Sequence, residues 1–265
     1  MLLAQLTDTH VIDPDGDTEL VVDNNHRLEL AVERLNAETV QPEVVIATGD
    51  LTDNGTAVEM DILAGLLAPL EAPLLALPGN HDDRTTFRAM FDMPWATEDS
   101  HLSWVTNVGN LHIIGLDTLL PGTHGGMFDP ERQRWLTEAL DASGTRPTVI
   151  AMHHPPFLSG IHWMDSMRLE GMAIFTEMVA RRSNVIRILC GHLHRPLTAT
   201  IGGVTTTVGP STIQHVELDL DPSASIEVIR DPPGYHLHNY VDDVWVSHIR
   251  YIDTGESPVV PEWSK

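Results

Sequence analysis

The sequence predicts an α/β protein, and two features of its apolar pattern support that prediction. Six short apolar runs have the length of a strand and lack a clean alternation of apolar and polar residues, which is typical of strands covered on both faces. Between these runs lie stretches whose apolar residues recur with helical spacing. The six runs are residues 2–6, 44–47, 74–77, 111–116, 148–152 and 185–190.

The first predicted helix covers residues 25–37, where Leu28, Val32 and Leu35 fall on one face. Asp129 and Pro130 predict the start of another helix, because aspartate caps a helix N-terminus and proline favours the first helical position. Three further stretches have a similar helical spacing. They are residues 56–67, 84–91 and 167–179.

The pattern changes after Gly202, where apolar and polar residues begin to alternate along short runs. This alternation predicts strands with one face buried. Two of the runs lie on either side of Asp242 and Asp243, a pair of turn residues, which predicts a hairpin. The predicted strands in this part are residues 204–208, 215–220, 235–240 and 244–252.

A chain of 265 residues suits one large domain with a small appendage. We expect the main domain to cover residues 1–230. Residues 231–265 are expected to form a C-terminal hairpin and tail, acting as a cap or as a contact in a homodimer or higher homo-oligomer. The alternative is that this hairpin simply completes the main sheet.

The composition is strongly acidic, with 15 Lys and Arg residues against 38 Asp and Glu residues and a net charge of −23. This charge argues against long nucleic acid or an anionic membrane as a partner. A small anionic substrate stays open, because bound metal ions reverse the local field. Cys190 is the one cysteine, which excludes an internal disulfide framework and a thiolate metal site.

The targeting signals of the chain can also be judged from its sequence. Residues 1–6 lack the basic segment of a signal peptide. No stretch approaches the roughly 18 consecutive apolar residues of a membrane-spanning helix. We therefore expect a cytoplasmic protein.

Metal-binding residue types follow five of the apolar runs, at the point where each run ends. Because the carboxyl ends of strands in an open α/β sheet gather ligand-binding residues, we expect these side chains to meet. Any one such motif can arise by chance, whereas five of them at five strand ends indicate a common site. The motifs are Asp8-Thr9-His10, Gly49-Asp50, Gly79-Asn80-His81-Asp82, His153-His154 and Gly191-His192-Leu193-His194.

The donor types in these motifs predict two divalent metal ions. Imidazole nitrogens with carboxylate and amide oxygens suit Mn, Fe, Co or Zn. Seven donors exceed the needs of one ion but suit two ions that share a bridging ligand. Asp8 and His10 are two residues apart, as are His192 and His194, so an extended backbone would place both members of each pair on one side.

In this order the motifs resemble those of the calcineurin-like metallophosphoesterase family, and the resemblance spans roughly residues 1–215. The segments 82–84, 116–118 and 153–156 resemble the class III cyclic nucleotide phosphodiesterases and the related bacterial glycerophosphodiesterases. The resemblance implies a four-layer α/β/β/α sandwich with a dinuclear metal centre, followed here by a small C-terminal β hairpin.

The resemblance also implies how the donors divide between the ions and how the site works. A hydroxide shared by the two ions would attack phosphorus. His81 would contact the phosphate and assist the leaving group, and Asp82 is expected to orient His81 or a neighbouring ligand. The first ion would be held by Asp8, His10 and His194, the second by Asn80, His153 and His192, and both by Asp50.

Further side chains are expected to bind the substrate beside Asn80 and His81. His124 lies in a glycine-rich segment that could line the pocket or be a plain loop. His215 follows Gln214 where the resembling enzymes place a histidine near the substrate, but the order of the two residues is transposed here. His154 is expected to orient its neighbouring ligand or to pack rather than to bind metal.

The predicted function is hydrolysis of small phosphodiesters, with 3′,5′-cyclic nucleotides slightly ahead as the substrate. Glycerophosphodiester hydrolysis is the nearest alternative. A non-catalytic, metal-free scaffold with the same fold is the alternative from a different class. A scaffold predicts missing or substituted donors, whereas every donor motif is present in this chain.

Overall fold

The computed structural model describes residues 1–15, 24–95 and 100–252, and these residues form two β-sheets flanked by helices. None of the described helices is long and apolar enough to cross a lipid bilayer. The helices are α1 (Asn24–Asn36), α2 (Ala57–Leu67), α3 (Arg84–Met90), α4 (Pro130–Ser143), α5 (His162–Asp165) and α6 (Met172–Ala180). The first strands are β1 (Leu2–Leu6), β2 (Val44–Ala47), β3 (Leu74–Ala76), β4 (Trp104–Val108), β5 (Leu111–Leu116), β6 (Gly126–Met127), β7 (Thr148–Met152), β8 (Leu169–Glu170) and β9 (Val185–Cys190). The remaining strands are β10 (Leu197–Ile201), β11 (Val204–Val208), β12 (His215–Val216), β13 (Val228–Ile229), β14 (Gly234–Val241) and β15 (Val244–Tyr251).

The first sheet has the strand order β15-β14-β1-β2-β3, and the second has the order β10-β11-β9-β7-β5-β4. Strands β1 to β3 of the first sheet run parallel, and so do β5, β7, β9 and β11 of the second. Antiparallel strands complete one edge of the first sheet and both edges of the second. The parallel strands of each sheet therefore end on the same side of that sheet.

Three buried apolar clusters define four layers. One cluster joins the first sheet to α1, α2 and α3, and includes Leu28, Leu63 and Phe87. A second lies between the two sheets and includes Ile46 and Trp104. The third joins the second sheet to α4 and α6. The predicted α/β fold and the α/β/β/α arrangement are thereby confirmed.

Local sequence explains where the helices begin. Thr56 caps α2, and its hydroxyl accepts from the Glu59 backbone N–H while the Glu59 carboxylate accepts from the Thr56 N–H. Asp83 caps α3 by accepting from two backbone N–H groups. Asp129 and Pro130 start α4 as predicted from the sequence, with the Asp129 side chain accepting from the Arg132 N–H.

Two predicted elements are wrong in their extent. The predicted strand 215–220 is reduced to β12, because the chain turns away afterwards and leaves Leu218 and Leu220 exposed. The predicted helix 167–179 begins only at Met172, because residues 169–170 pair with β6 as strand β8 and Gly171 adopts a left-handed φ of 91°. Strands β4 and β10 were not predicted at all.

The C-terminal hairpin extends the first sheet, since β14 pairs antiparallel with β1. Asp242 and Asp243 both have positive φ, which suits the two-residue turn of such a hairpin. Arg250 on β15 donates to the Glu38 carboxylate at 2.6 and 2.5 Å, and the Tyr235 hydroxyl donates to the same carboxylate. This agrees with the alternative in which the hairpin completes the sheet, while the boundary between residues 230 and 231 stays a prediction.

Candidate metal centre

The predicted donors lie just beyond the strand ends, in an unusual backbone conformation. Left-handed φ angles of 41° to 73° occur at Asp8, His10, Asp50, His192 and His194. Among the described residues, the other non-glycine positions with positive φ are the two turn aspartates of the hairpin. The expectation that the backbone is extended from Asp8 to His10 and from His192 to His194 is therefore wrong. Such conformations cost about 1–3 kcal/mol each and tend to mark functional sites.

The side chains expected to hold the first ion lie close together. The Nε2 atoms of His10 and His194 lie 2.9 Å apart. His194 Nε2 is 3.5 Å from a carboxylate oxygen of Asp8, and His10 Nε2 is 3.7 Å from one of Asp50. These four side chains offer ligand atoms that all lie within 4.8 Å of one another. Their nitrogen and oxygen donors fit a divalent cation such as Mn, Fe, Co or Zn.

The donors of the second ion converge beside them. The amide oxygen of Asn80 is 3.2 Å from His153 Nε2 and 3.0 Å from His192 Nδ1. His153 Nε2 is also 3.2 Å from an oxygen of Asp50. Asp50 thus approaches ligands from both groups, as its predicted bridging position requires. Gly79 allows this close approach, because a Cβ there would overlap the carboxylate and the backbone nitrogen of Asp50.

Hydrogen bonds on the far side of three imidazoles fix which nitrogen faces inward. His153 Nδ1 donates to the Thr48 carbonyl at 2.8 Å, and His194 Nδ1 lies 3.3 Å from the Gln214 carbonyl. His10 Nδ1 is 3.1 Å from the Asp53 carboxylate. Such contacts orient ligand histidines and tune their basicity. Asp53 was missed from the sequence, although a carboxylate three residues after Asp50 is a signal that could have pointed to it.

The charges of the metal-free site are tightly coupled. Burial alone would lower the pKa of His153, but the charge of Asp50 and a hydrogen bond to it raise that pKa to about 9. Burial would raise the pKa of Asp50, yet His153 holds it well below its usual range. For His194, burial lowers the pKa to about 4. Without metal, the site therefore keeps a proton on His153 and a neutral imidazole at His194 near pH 7.

His81 lies at the edge of this cluster without joining it. Its Nδ1 lies 2.7 Å from the Asp53 carbonyl, which can only accept, so a neutral His81 carries its proton there and Nε2 is the atom that can take another. Its backbone N–H donates to an Asp50 carboxylate oxygen at 2.8 Å. The His81 ring is 4.6 Å from that of His10 and 5.1 Å from that of His124.

Asp82 contacts two neighbouring loops, and its expected role of orienting His81 or a neighbouring ligand stays a prediction. Its buried carboxylate accepts from the backbone N–H groups of Gly79 and Thr52, both at 2.9 Å, and from the Thr52 hydroxyl at 2.8 Å. It makes no hydrogen bond to the His81 ring. Asp82 therefore fastens the loop that carries Asn80 to the loop that carries Asp50, and acts on the site through the backbone.

Two further histidines, His215 and His154, differ in their burial partners and in their distance from the predicted ligands. His215 is buried and its Nε2 lies 3.4 Å from the Ser211 carbonyl, so its expected contact with substrate is wrong; Gln214 lines the cavity instead. His154 lies near both second-ion histidines. Its two ring nitrogens, however, contact the Thr118 hydroxyl and the His124 carbonyl, which agrees with packing rather than metal binding.

A cavity of about 270 Å³ opens directly onto the cluster. His124 lines it, and its Nδ1 lies 3.2 Å from the Asn80 amide nitrogen, while its contact with substrate stays a prediction. Part of the lining forms an apolar wall. It is formed by Trp163, Met164, Met167, Ile213, Val216, Ile226 and Val228.

A second cleft, of about 650 Å³, opens on the other side of Asn80 and His81. Arg84 lines this cleft and donates to the Asp117 carboxylate at 2.6 and 3.0 Å. This ion pair joins α3 to the end of the second sheet. Asn80 and His81 thus border both openings.

Metal uptake is expected to release protons at pH 7 and to strengthen as pH rises towards 9. A ligand imidazole must be neutral, whereas the pKa of His153 in the metal-free site is raised from 6.5 to about 9. Calorimetric titration with Mn²⁺ in buffers of different ionisation enthalpy counts the protons released. Uptake with no proton release, or with an affinity that does not change between pH 6.5 and 9, would contradict the charge state assigned to His153.

Comparison with known proteins shows what this chain is similar to. Residues 1–196 match the family described as calcineurin-like phosphoesterase. A protein of Arcobacter nitrofigilis named "Probable glycerophosphodiester phosphodiesterase GpdQ" is 31% identical over 97% of this chain and 96% of its own length. The 3′,5′-cyclic adenosine monophosphate phosphodiesterase CpdA of Pseudomonas aeruginosa is 32% identical over 92% of this chain and 86% of its own length.

Solved structures share the fold at lower identity. A dimetal phosphatase from Danio rerio has a TM-score of 0.71 at 14% identity, covering 95% of this chain and 96% of its own. The purple acid phosphatase PPD1 of yellow lupin has a TM-score of 0.69 at 15% identity, covering 96% of this chain and 52% of its own. Together with the match over residues 1–196, the sequence relatives show that this chain belongs to the calcineurin-like phosphoesterase family.

Proposed function

We propose that this chain is a metal-dependent hydrolase of small phosphodiesters. The observation that carries the proposal is the convergence of six further nitrogen and oxygen donors around the Asp50 carboxylate, at the mouth of a cavity. Relatives named as phosphodiesterases support it. A metal-free scaffold is disfavoured, because no donor is missing or turned away from the cluster.

Two divalent ions fit the donor set. We propose that both contact Asp50, and that Mn, Fe, Zn and Co are all compatible with the donors. When bound, the ions supply Lewis acidity for phosphoryl oxygens and lower the pKa of bound water. The first set of ligands is Asp8, His10 and His194, and the second is Asn80, His153 and His192.

His81 is proposed to work on the leaving group. An alkoxide of ribose or glycerol leaves poorly unless it gains a proton in the transition state. The hydrogen bond between Nδ1 and the Asp53 carbonyl keeps the ring in place while Nε2 gives up or takes a proton. Asn80 and His124 border the same opening and are proposed to contact the substrate.

Cyclic nucleotides are proposed as the leading substrates. The apolar wall of the cavity, which includes Trp163, Met167 and Ile226, suits the face of a nucleobase better than it suits a glycerol arm. A relative from Mycobacterium tuberculosis, named a cAMP/cGMP dual specificity phosphodiesterase, is 35% identical over 82% of this chain and 69% of its own length. The predicted cytoplasmic location stays a prediction.

Glycerophosphodiester hydrolysis is the second candidate. The relative from Arcobacter nitrofigilis that carries this name matches 97% of this chain. Its match therefore extends well beyond residue 196, where the family match ends. Long nucleic acid is disfavoured for either candidate, because a net charge of −23 opposes a long polyanion.

A homodimer formed through β15 is proposed as the assembled state. This strand is at the edge of the first sheet, and four of its apolar residues, Val244, Val246, Ile249 and Tyr251, are exposed. An exposed apolar edge strand favours pairing with another chain. A second copy offers the same strand in a self-complementary arrangement.

The substrate proposal is tested by removing metal with chelator, restoring Mn²⁺ and comparing kcat/KM for 3′,5′-cyclic AMP and glycerophosphoethanolamine. A clear preference for the cyclic nucleotide is expected, because its base can cover the apolar wall. A preference for the glycerol diester would support the second candidate. Failure to hydrolyse either compound would contradict both.

His81→Ala is expected to keep two ions per chain and to lower kcat by about 10²–10⁴-fold, the usual range for loss of a general acid or base. Metal analysis and turnover at saturating Mn²⁺ check this on the same sample. His26→Ala, which changes an exposed histidine on α1, is the matched control and should behave as the wild type. Loss of metal from His81→Ala would overturn the proposed role.

The dimer proposal is tested by sedimentation velocity. The wild-type chain is expected to sediment as a dimer and Val246→Glu as a monomer, because the new charge would be buried in the interface. Val58→Glu alters an exposed valine on α2 instead of β15 and should stay dimeric. A wild-type chain that is monomeric at all concentrations would rule the proposal out.

A further inference from the structure

Gln5 on β1 is buried between the two sheets, with no exposed surface. We propose that Gln5 is a positioning residue that sets the affinity of the second metal ion, the one assigned to Asn80, His153 and His192. It would do so by holding Thr48, whose carbonyl orients His153, against Cys190, which leads into His192. The inference rests on the proposed dinuclear site and adds a residue that does not itself bind metal.

The amide group of Gln5 joins the two sheets. Its Nε2 donates to the Thr48 hydroxyl at 3.0 Å, directly after β2 of the first sheet. The same nitrogen donates to the Cys190 carbonyl at 2.8 Å, at the end of β9 in the second sheet. All three residues are fully buried, so no water competes for these hydrogen bonds.

Each of the two hydrogen bonds involves a residue close to a ligand of the second ion. The Thr48 carbonyl accepts from His153 Nδ1 at 2.8 Å and so sets the orientation of that ring. Cys190 is followed by Gly191 and His192, and the Gly191 N–H donates to the His153 carbonyl at 3.0 Å. A shift of Thr48 relative to Cys190 would therefore change the separation of two imidazoles that must face one ion.

The contact made by the Gln5 amide oxygen fixes the orientation of the amide group. Gln5 Oε1 lies 3.1 Å from His238 Nε2 on β14, and His238 Nδ1 lies 2.8 Å from the Ser247 hydroxyl on β15. Because Nε2 of Gln5 faces a carbonyl, which can only accept, Oε1 must be the atom that faces His238. The amide thus has one arrangement in which every partner is satisfied.

The ligands of the first ion depend on other contacts. His10 is oriented by the Asp53 carboxylate and His194 by the Gln214 carbonyl, and neither contact includes Gln5. His192 also has a contact that does not include Gln5, because its backbone N–H donates to the Asp8 carboxylate at 2.9 Å. Loss of the Gln5 amide should therefore loosen the second site selectively without dispersing the cluster.

The test uses Gln5→Met, which keeps the length of the side chain but has no N–H donor. Mn²⁺ is added stepwise to metal-free protein, and the free ion is counted by electron paramagnetic resonance to give a Kd for each ion. Ser143→Ala is the matched control. It removes a buried hydroxyl that donates to the Leu140 carbonyl and accepts from the Asn184 side chain. Asn184 directly precedes β9, whereas the predicted metal ligands follow the other end of that strand.

Gln5→Met is expected to weaken binding of the second ion by about 10–100-fold, the usual effect of losing an outer contact to a metal ligand. The Kd of the first ion should stay close to the wild-type value. Turnover should recover at saturating Mn²⁺, since every ligand is still present. Ser143→Ala should lower Tm and leave both Kd values unchanged.

Two outcomes for a folded Gln5→Met would overturn the inference: an unchanged Kd for the second ion, or an equal loss at both sites, which indicates general damage. If Gln5→Met does not fold, Thr48→Val is judged by the same criteria, because it removes the hydroxyl that Gln5 contacts and keeps the carbonyl that His153 contacts. A wild-type chain that binds fewer than two ions would instead contradict the proposed function, and the inference with it.

Discussion

The Asp50 carboxylate lies where ligands from the two sheets meet, and the other contacts of the site depend on it. It is almost completely buried, receives the His81 N–H, and lies 3.2 Å from His153 of the second sheet. A buried carboxylate is costly unless it is paired and hydrogen-bonded. The loops around it are accordingly fixed by Asp82, which fastens the two loops of the first sheet, and by Asp53, which holds His10.

The four-layer fold explains how donors from distant parts of the sequence reach one point. The parallel strands of both sheets end on the same side, and the apolar cluster between the sheets sets the distance between the two sheets. Left-handed backbone immediately after the strands then directs Asp8, Asp50 and His192 towards the other metal-binding side chains. The apolar core therefore offsets the strain of these turns, and Gln5 provides a polar contact between the sheets close to the donors.

Much of the fold could be predicted because buried parallel strands are apolar along their length and helices show their spacing and caps. Strands β4 and β10 are half-polar edge strands that form no continuous apolar run, so they were not found. The donor motifs were visible because they follow strands directly. The partners of Asp82 and His215 are backbone groups distant in sequence, and no sequence pattern reveals such contacts.

The central claim is that two ions bind on either side of Asp50. Anomalous X-ray diffraction from crystals soaked in Mn²⁺ tests it most directly. The account predicts two anomalous peaks about 3.5–4 Å apart, with Asp50 between them and Asn80 against only one of them. A single peak, or a pair of peaks away from Asp50, would contradict it.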